Sequence, residues 1–200
     1  MAPLTEVLAL KSNELMSSSD NLRECVELLS KNIPGFQRSF WGDRLQEPGI
    51  RQWFIDWDEK PENYDPEVVQ KANQKLQEVV SEFPKPKFVA FRTFPHTKCF
   101  TAPITEVIYA TVKPDADLKE FAKVADVSLE VTEDYQGCFG TSWGYVVGSE
   151  REIMMVVGWD SIENHVNFTK TTEFKETTDP FLELVSDSGM FYVKNQSFRL

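Results

Sequence analysis

The chain opens on Ala2-Pro3-Leu4-Thr5-Glu6-Val7 and a hundred residues later reads Ala102-Pro103-Ile104-Thr105-Glu106-Val107. Five of the six positions are identical, and the sixth exchanges Leu4 for Ile104. An internal repeat constrains a fold more than composition does, because each copy must be able to form the same unit. The match continues downstream. Phe40-Trp41-Gly42 returns as Ser142-Trp143-Gly144 and Trp57-Asp58 as Trp159-Asp160, both at an offset of 102, and Glu62-Asn63 precedes Glu163-Asn164 by 101. Loop insertions produce drifts of this size. The 200 residues therefore divide into two copies, 1–95 and 101–200, with a linker at 96–100.

The order of elements is the same in each copy. Leu4 to Leu10 and Ile104 to Val112 are rich in apolar and β-branched residues, as strands are. A helix follows in each: Leu22, Cys25, Val26 and Leu29 lie at helical spacing behind a cap at Ser19 or Asp20, and Leu118, Phe121, Ala122, Val124 and Ala125 behind Asp115 or Asp117. Gly35 and Gly137 then turn the chain into hairpins through Trp41 to Trp57 and Trp143 to Trp159. Asp65-Pro66-Glu67 begins the next helix of the first copy, and the second copy reads as two helices, Ser161 to Thr171 and Asp179 to Val185. Last strands are expected at Lys87 to Phe94 and Met190 to Phe198. The sequence thus predicts β-α-β-β-α-β twice, an α+β protein of two tandem ferredoxin-like repeats. Each antiparallel sheet has one face left bare by its helices, and packing the two sheets face to face would cover both, as an intramolecular α/β barrel. With that surface satisfied within the chain, a monomer is favoured over a homodimer.

A net charge of -11 sets the chain against binding nucleic acid, since phosphates would be repelled. No apolar run reaches the length of a membrane span and no secretory leader is evident, so a cytoplasmic location is expected. Cys25, Cys99 and Cys138 have no C-x-x-C spacing and read as free thiols. The two histidines, His96 and His165, are too few for a His-rich metal site. Nucleotide, flavin, zinc and serine-hydrolase motifs are missing, and no cofactor and no metal are expected.

The stretches Thr105-Glu106-Val107-Ile108, Gly137-Cys138-Phe139-Gly140-Thr141-Ser142-Trp143-Gly144 and Val157-Gly158-Trp159-Asp160-Ser161-Ile162-Glu163-Asn164-His165, followed by Phe168 and Phe174, resemble the antibiotic-biosynthesis-monooxygenase and stress-responsive groups of dimeric α/β barrels, particularly their fungal members, as a tandem single-chain form. The first half fits more loosely, its Trp57-Asp58-Glu59-Lys60-Pro61-Glu62-Asn63-Tyr64 lacking the histidine. The resemblance implies the same fold and a choice among cofactor-free oxygenases, cyclases, haem-degrading enzymes, isomerases and proteins without known chemistry. Haem would have only His165 or His96 to bind it and ranks low.

The candidate site residues are those where the copies differ or where aromatic rings gather. His165 is placed as a general base or hydrogen-bond donor, with a locally bonded helix histidine as the alternative. Tyr109, where the first copy has Ala9, is a partner for proton handling. Trp143 and Trp159 offer rings for a flat substrate, although their recurrence as Trp41 and Trp57 favours a role in the core. Phe168 adds to the pocket wall, and Asn164 is placed to hold a substrate carbonyl, with an ordinary helix-start asparagine as the alternative. Glu6 and Glu106 share a face with apolar neighbours; because both copies carry them, a structural role is favoured over that of a proton acceptor. The leading expectation is a cofactor-free enzyme of secondary metabolism acting on a hydrophobic polyketide- or terpenoid-like molecule as oxygenase, cyclase or isomerase. The competing one is a non-catalytic binding or stress-responsive barrel protein.

Overall fold

The computed structural model describes residues 3–12, 20–58, 66–82, 85–94 and 96–196. The chain divides into two compact units, Met1–Phe88 with Gln196–Leu200, and Val89–Asn195. The division thus falls at 88/89 rather than at 95, and the stretch expected as linker carries a short helix.

In the first unit, strands β1 (Leu4–Ser12), β2 (Phe36–Arg44), β3 (Ile50–Trp57) and β4 (Val80–Glu82) alternate with helices α1 (Asp20–Asn32) and α2 (Pro66–Val79). β3 pairs antiparallel with both β1 and β2, and β1 with β4, which gives the order β4-β1-β3-β2. Leu8, Leu10, Trp41, Trp53, Ile55 and Trp57 on the sheet meet Leu22, Cys25, Val26 and Leu76 on the helices in one buried cluster. The cap of α1 expected at Ser19, the start of α2 at Asp65, and Asn63 all lie at the edge of or outside the described residues.

The second unit repeats the plan with β6 (Ile104–Val112), α4 (Leu118–Glu133), β7 (Cys138–Val146), β8 (Glu152–Trp159), α5 (Ile162–Phe168), α6 (Thr172–Leu184) and β9 (Val185–Gln196). Its pairings give β9-β6-β8-β7, the same order as in the first unit. The repeat holds down to single bonds: Asp58 N donates to Gly35 O at 2.8 Å, and Asp160 N to Gly137 O at 2.9 Å. Both glycines take a positive φ, 87° and 96°, which a residue with a Cβ adopts only under strain.

Three expectations change in detail. Strand β5 (Lys87–Phe91) forms, but its Val89–Phe91 pair with β7 in the second unit, and the last strand of the first unit's sheet is the short β4. Helix α3 (Thr97–Thr101) occupies the expected linker. The helices of the second copy are cut differently, α5 ending at Phe168 because Thr171 caps a new helix by accepting from Phe174 N at 3.2 Å. Pro180 then lies inside α6 rather than in its first turn, so the Glu176 carbonyl has no i+4 amide to accept from. Of the two caps considered for α4, Asp117 serves: its carboxylate accepts from Lys119 N at 2.6 Å and Glu120 N at 3.1 Å.

Gly144 lies opposite Phe91 where β5 joins β7. A Cβ there would come within 2.1 Å of the Ala90 carbonyl oxygen, a backbone atom that cannot swing aside. Gly144→Ala should therefore lower stability by about 3 kcal/mol, read as a lower urea midpoint, whereas Gly148→Ala has open space and only backbone strain to meet.

Candidate active site

Strict alternation along β6 turns Glu106, Ile108, Ala110 and Val112 toward the helices of the second unit and Thr105, Val107 and Tyr109 to the opposite face. Trp159 ends β8 on the helix side. Two residues later Ser161 starts α5, its hydroxyl accepting from Asn164 N at 3.2 Å. His165, one turn in, is carried back over Trp159, with ring centroids 5.2 Å apart. Between these residues and α4 and α6 lies a cavity of about 270 Å³, walled chiefly by carbon from Ile108, Leu129, Met155, Phe168, Phe174 and Phe181.

Glu106, Trp159 and His165 all reach this cavity. The indole Nε1 of Trp159 donates to Glu106 Oε2 at 2.9 Å, and the other carboxyl oxygen, Oε1, lies 3.5 Å from His165 Nε2. That separation is too short to admit a water between the two atoms. The opposite ring nitrogen, Nδ1, is hydrogen-bonded to the hydroxyl of Tyr192, which stands beside Glu106 on β9. Burial pushes the Glu106 carboxyl up to about 7, the indole hydrogen bond opposing it only in part. The same burial holds the His165 imidazole down to about 4 and raises the Tyr192 phenol to about 12, the latter helped by Glu106. Near neutral pH the imidazole is uncharged and the phenol keeps its proton. Of these three groups, Glu106 is the one that exchanges a proton there.

Of the residues expected at the site, His165, Trp159 and Phe168 come together. The other three lie elsewhere. Trp143 is buried four residues away from Trp159 along the ladder, opposite Met155, with its Nε1 donating to Asp126 at 2.8 Å and its ring edge-on to Phe121, so no slot forms between the two tryptophans. Tyr109 is 46% exposed on the other face of the sheet, its ring lying across Gly189. Asn164 donates to both carboxylate oxygens of Asp160, at 2.7 and 2.8 Å, and fills the space beside Gly137, which makes it a brace for that turn. His96 is wedged among Phe91, Phe94 and Phe100 with Nδ1 facing the Thr93 carbonyl.

Sequence reasoning set Glu106 aside because Glu6 repeats it. The pair does recur, Trp57 Nε1 donating to Glu6 Oε2 at 3.0 Å with that carboxyl also pushed up to about 7, but only the second copy adds a histidine at the following helix. Tyr192 was missed altogether. Its signal was the register of the last strand, which no local pattern gives. Burial keeps the free thiols of Cys99 and Cys138 protonated, at about 12 and 11, and removes them as nucleophiles. Among the described residues no group of three His, Cys, Asp or Glu side chains could hold a metal ion, and no helix is long and apolar enough to cross a membrane.

This geometry can be set beside known proteins. Residues 103–179 match the family model for antibiotic biosynthesis monooxygenase. The matched domain contains Glu106, Trp159, His165 and Phe168, while Tyr192 lies beyond it. No curated protein matches the chain by sequence. Among solved structures, a provisionally assigned monooxygenase of Lactobacillus acidophilus superposes with a TM-score of 0.70 at 13% identity, covering 98% of this chain and 94% of its own. A second such protein, from Fusobacterium nucleatum, also gives 0.70, at 10% identity over 98% and 93%. An anthrone oxidase-like protein gives 0.63 at 11% identity over 98% and 92%. At these identities the likeness is one of fold. It extends over both copies, well past the matched monooxygenase domain.

The Glu106 carboxyl makes stability depend on pH with a defined sign. The folded state holds a proton that the unfolded chain releases from about pH 4.5, so stability falls as pH rises to about 7 and stays lowered above it. Glu106→Gln, whose amide keeps the indole's acceptor, should be more stable than wild type at pH 8 by about 3 kcal/mol and no more stable at pH 4.5. Urea unfolding at the two pH values checks this. His165 acts in the reverse sense, stability being lost as pH falls from 6.5 toward 4.

Proposed function

We propose that the second copy is a cofactor-free, monooxygenase-type site that binds a hydrophobic ring-containing molecule and removes a weakly acidic proton from it. The observation that carries this reading is a carboxyl with a pKa of about 7, buried against a neutral imidazole at a cavity walled by carbon. A base works best when its pKa lies near the operating pH, and in water a glutamate is far too weak. Here Glu106 accepts the substrate proton, His165 stabilises the carboxyl thus formed, and Trp159 keeps the carboxylate oriented. The carbanion or phenolate left behind is an electron donor to dioxygen. In the oxygenase form of the reaction a CH₂ group and O₂ give C=O and H₂O, so the substrate supplies the electrons and balance needs no other reductant. The family match and the oxidase-like structural relative favour this form over cyclisation or isomerisation.

Cavity size limits the substrate. At the packing density of protein interiors, 270 Å³ accommodates about 200 Å³ of ligand, or about two to three fused rings. A polyketide- or terpenoid-derived aromatic fits that description. Phe168, tilted against Tyr135 at 4.9 Å and near Trp159 at 5.8 Å, also borders an adjoining hollow of about 480 Å³. It serves as the partition that sets substrate length.

Oxygen uptake with two- and three-ring benzylic ketones, 2-tetralone and anthrone, tests the reading. Turnover should follow a rising pH profile with a midpoint near 7, and Glu106→Gln should lower kcat by about 10²- to 10⁴-fold. Uptake by neither ketone above the uncatalysed rate, or equal rates in wild type and variant, would sink it. In the same assay Phe168→Ala should shift preference from two rings toward longer substrates.

A further inference from the structure

The contacts around His165 leave each ring nitrogen one partner, and those partners differ in kind. Trp159 occupies Oε2 of Glu106 with an N–H, so a proton on this carboxyl resides on Oε1, the oxygen that faces His165 Nε2. In that state Nε2 must accept, the ring proton is on Nδ1, and Nδ1–H donates to the Tyr192 oxygen. When Glu106 is ionised, Nε2–H turns toward the carboxylate, and the bare Nδ1 accepts from the Tyr192 hydroxyl. A phenol is both donor and acceptor, so it satisfies either arrangement, whereas a backbone carbonyl at this place would lock one of them.

We propose that His165 changes tautomer rather than charge as Glu106 gains and loses its proton, with the Tyr192 hydroxyl reversing from acceptor to donor to allow it. A proton leaving Oε1 passes to Nε2, the Nδ1 proton passes to the Tyr192 oxygen, and the proton already on that oxygen leaves; the imidazole ends with one proton, as it began. Glu106 and Trp159 are buried, while Tyr192 is only half-buried, so the chain of groups runs from the cavity toward its accessible end. Tyr192 is thus a positioning residue, acting through His165. Among the described residues no lysine or arginine lines the cavity: β8 brings Trp159, α5 His165, α4 the hydroxyls of Ser128 and Thr132 and α6 that of Thr178, while Tyr192 on β9 stands behind His165 and the neighbouring Cys138 thiol on β7 remains protonated. Glu106 is therefore the group whose ionisation this relay follows.

The protein has only two histidines, which makes the test direct. Imidazole ¹⁵N–¹H correlation spectra of ¹⁵N-histidine-labelled protein, recorded from pH 5.5 to 8.5, report the tautomer of each ring. His165 should be Nδ1–H at low pH and Nε2–H at high pH, crossing near pH 7 without an imidazolium signal; the second set of ring signals belongs to His96, whose Nδ1 faces a carbonyl. Tyr192→Phe should hold His165 as Nε2–H throughout and lower the Glu106 midpoint by about one pH unit, because an Nδ1–H without an acceptor is disfavoured. Glu106→Gln, its amide donating to Nε2, should fix the Nδ1–H form at every pH, and it keeps the test decisive if the tyrosine variant does not fold. A single wild-type tautomer across the range, an imidazolium near neutrality, or a switch that survives in either variant would overturn the proposal. No substrate enters the measurement, so its failure is distinguishable from failure of the proposed reaction.

Discussion

The hydrogen bond from the Trp159 indole to Glu106 is the interaction on which the site depends. A carboxyl carried into a carbon-walled space without a donor would face a desolvation penalty of several kcal/mol, and the strand holding it would be under pressure to slip or turn. The bond joins adjacent antiparallel strands diagonally, Trp159 being paired with Ile104, two residues before Glu106. It is therefore possible only in the observed register. The same bond in the first copy, Trp57 to Glu6, ties β3 to β1 in the same way. Its retention in both halves is accounted for by what it does for the sheet. Its chemical consequence, a carboxyl poised near neutrality with one oxygen occupied and the other free to face a partner, is available to whichever copy supplies one.

The copies have diverged next to that shared feature. In the first, Asp56 is fully buried, accepting from Thr5 Oγ1 at 2.7 Å and paired with Arg38 at 3.3 Å. The position 102 residues on is Gly158, and a Cβ there would come within 2.9 Å of Lys98 O, Cys99 Cα and Ala102 Cβ. Helix α3 fills the place of the aspartate side chain. Thr105, the counterpart of Thr5, donates to Cys99 O at 2.6 Å instead. A buried ion pair has thus been replaced by close backbone packing, an exchange that removes desolvated charge from the sheet face opposite the cavity.

The repeat made the fold legible because strand alternation and helical spacing are local patterns, and the 102-residue echo of Trp41, Gly35 and Trp57 aligned the copies without reference to contacts. Departures came where contacts decide. Lys87–Phe91 reads as a strand from its own residues, but which sheet it joins depends on Gly144 offering a backbone close enough to pair. The rule that chemistry lies where copies differ pointed to His165, which the structure places at the cavity, and to Tyr109, whose ring it places across Gly189 on the other face of the sheet. It also passed over Glu106, a side chain that both copies carry and that faces His165 in the second. Asn164 illustrates the same limit: a helix-start asparagine is equally a substrate ligand or a turn brace until Asp160 and Gly137 are seen beside it.

The opposing shifts of Glu106 and His165 follow from one environment acting on two kinds of acid. Burial penalises whichever form is charged, so it raises a carboxyl and lowers an imidazole, and the pair is neutral over most of the range in which an exposed Glu–His pair would be an ion pair. A neutral pair retains little water, in keeping with the carbon walls around it. It also leaves Glu106 uncommitted: a carboxylate locked to an imidazolium would be a weak proton acceptor, whereas a carboxyl balanced near neutrality accepts a proton with little loss of driving force. The carbon walls and the poised carboxyl are therefore consequences of a single choice, the exclusion of charged side chains from the space between α4, α6 and the sheet. Introducing one lysine there would wet the cavity and return Glu106 to an ordinary ionised glutamate.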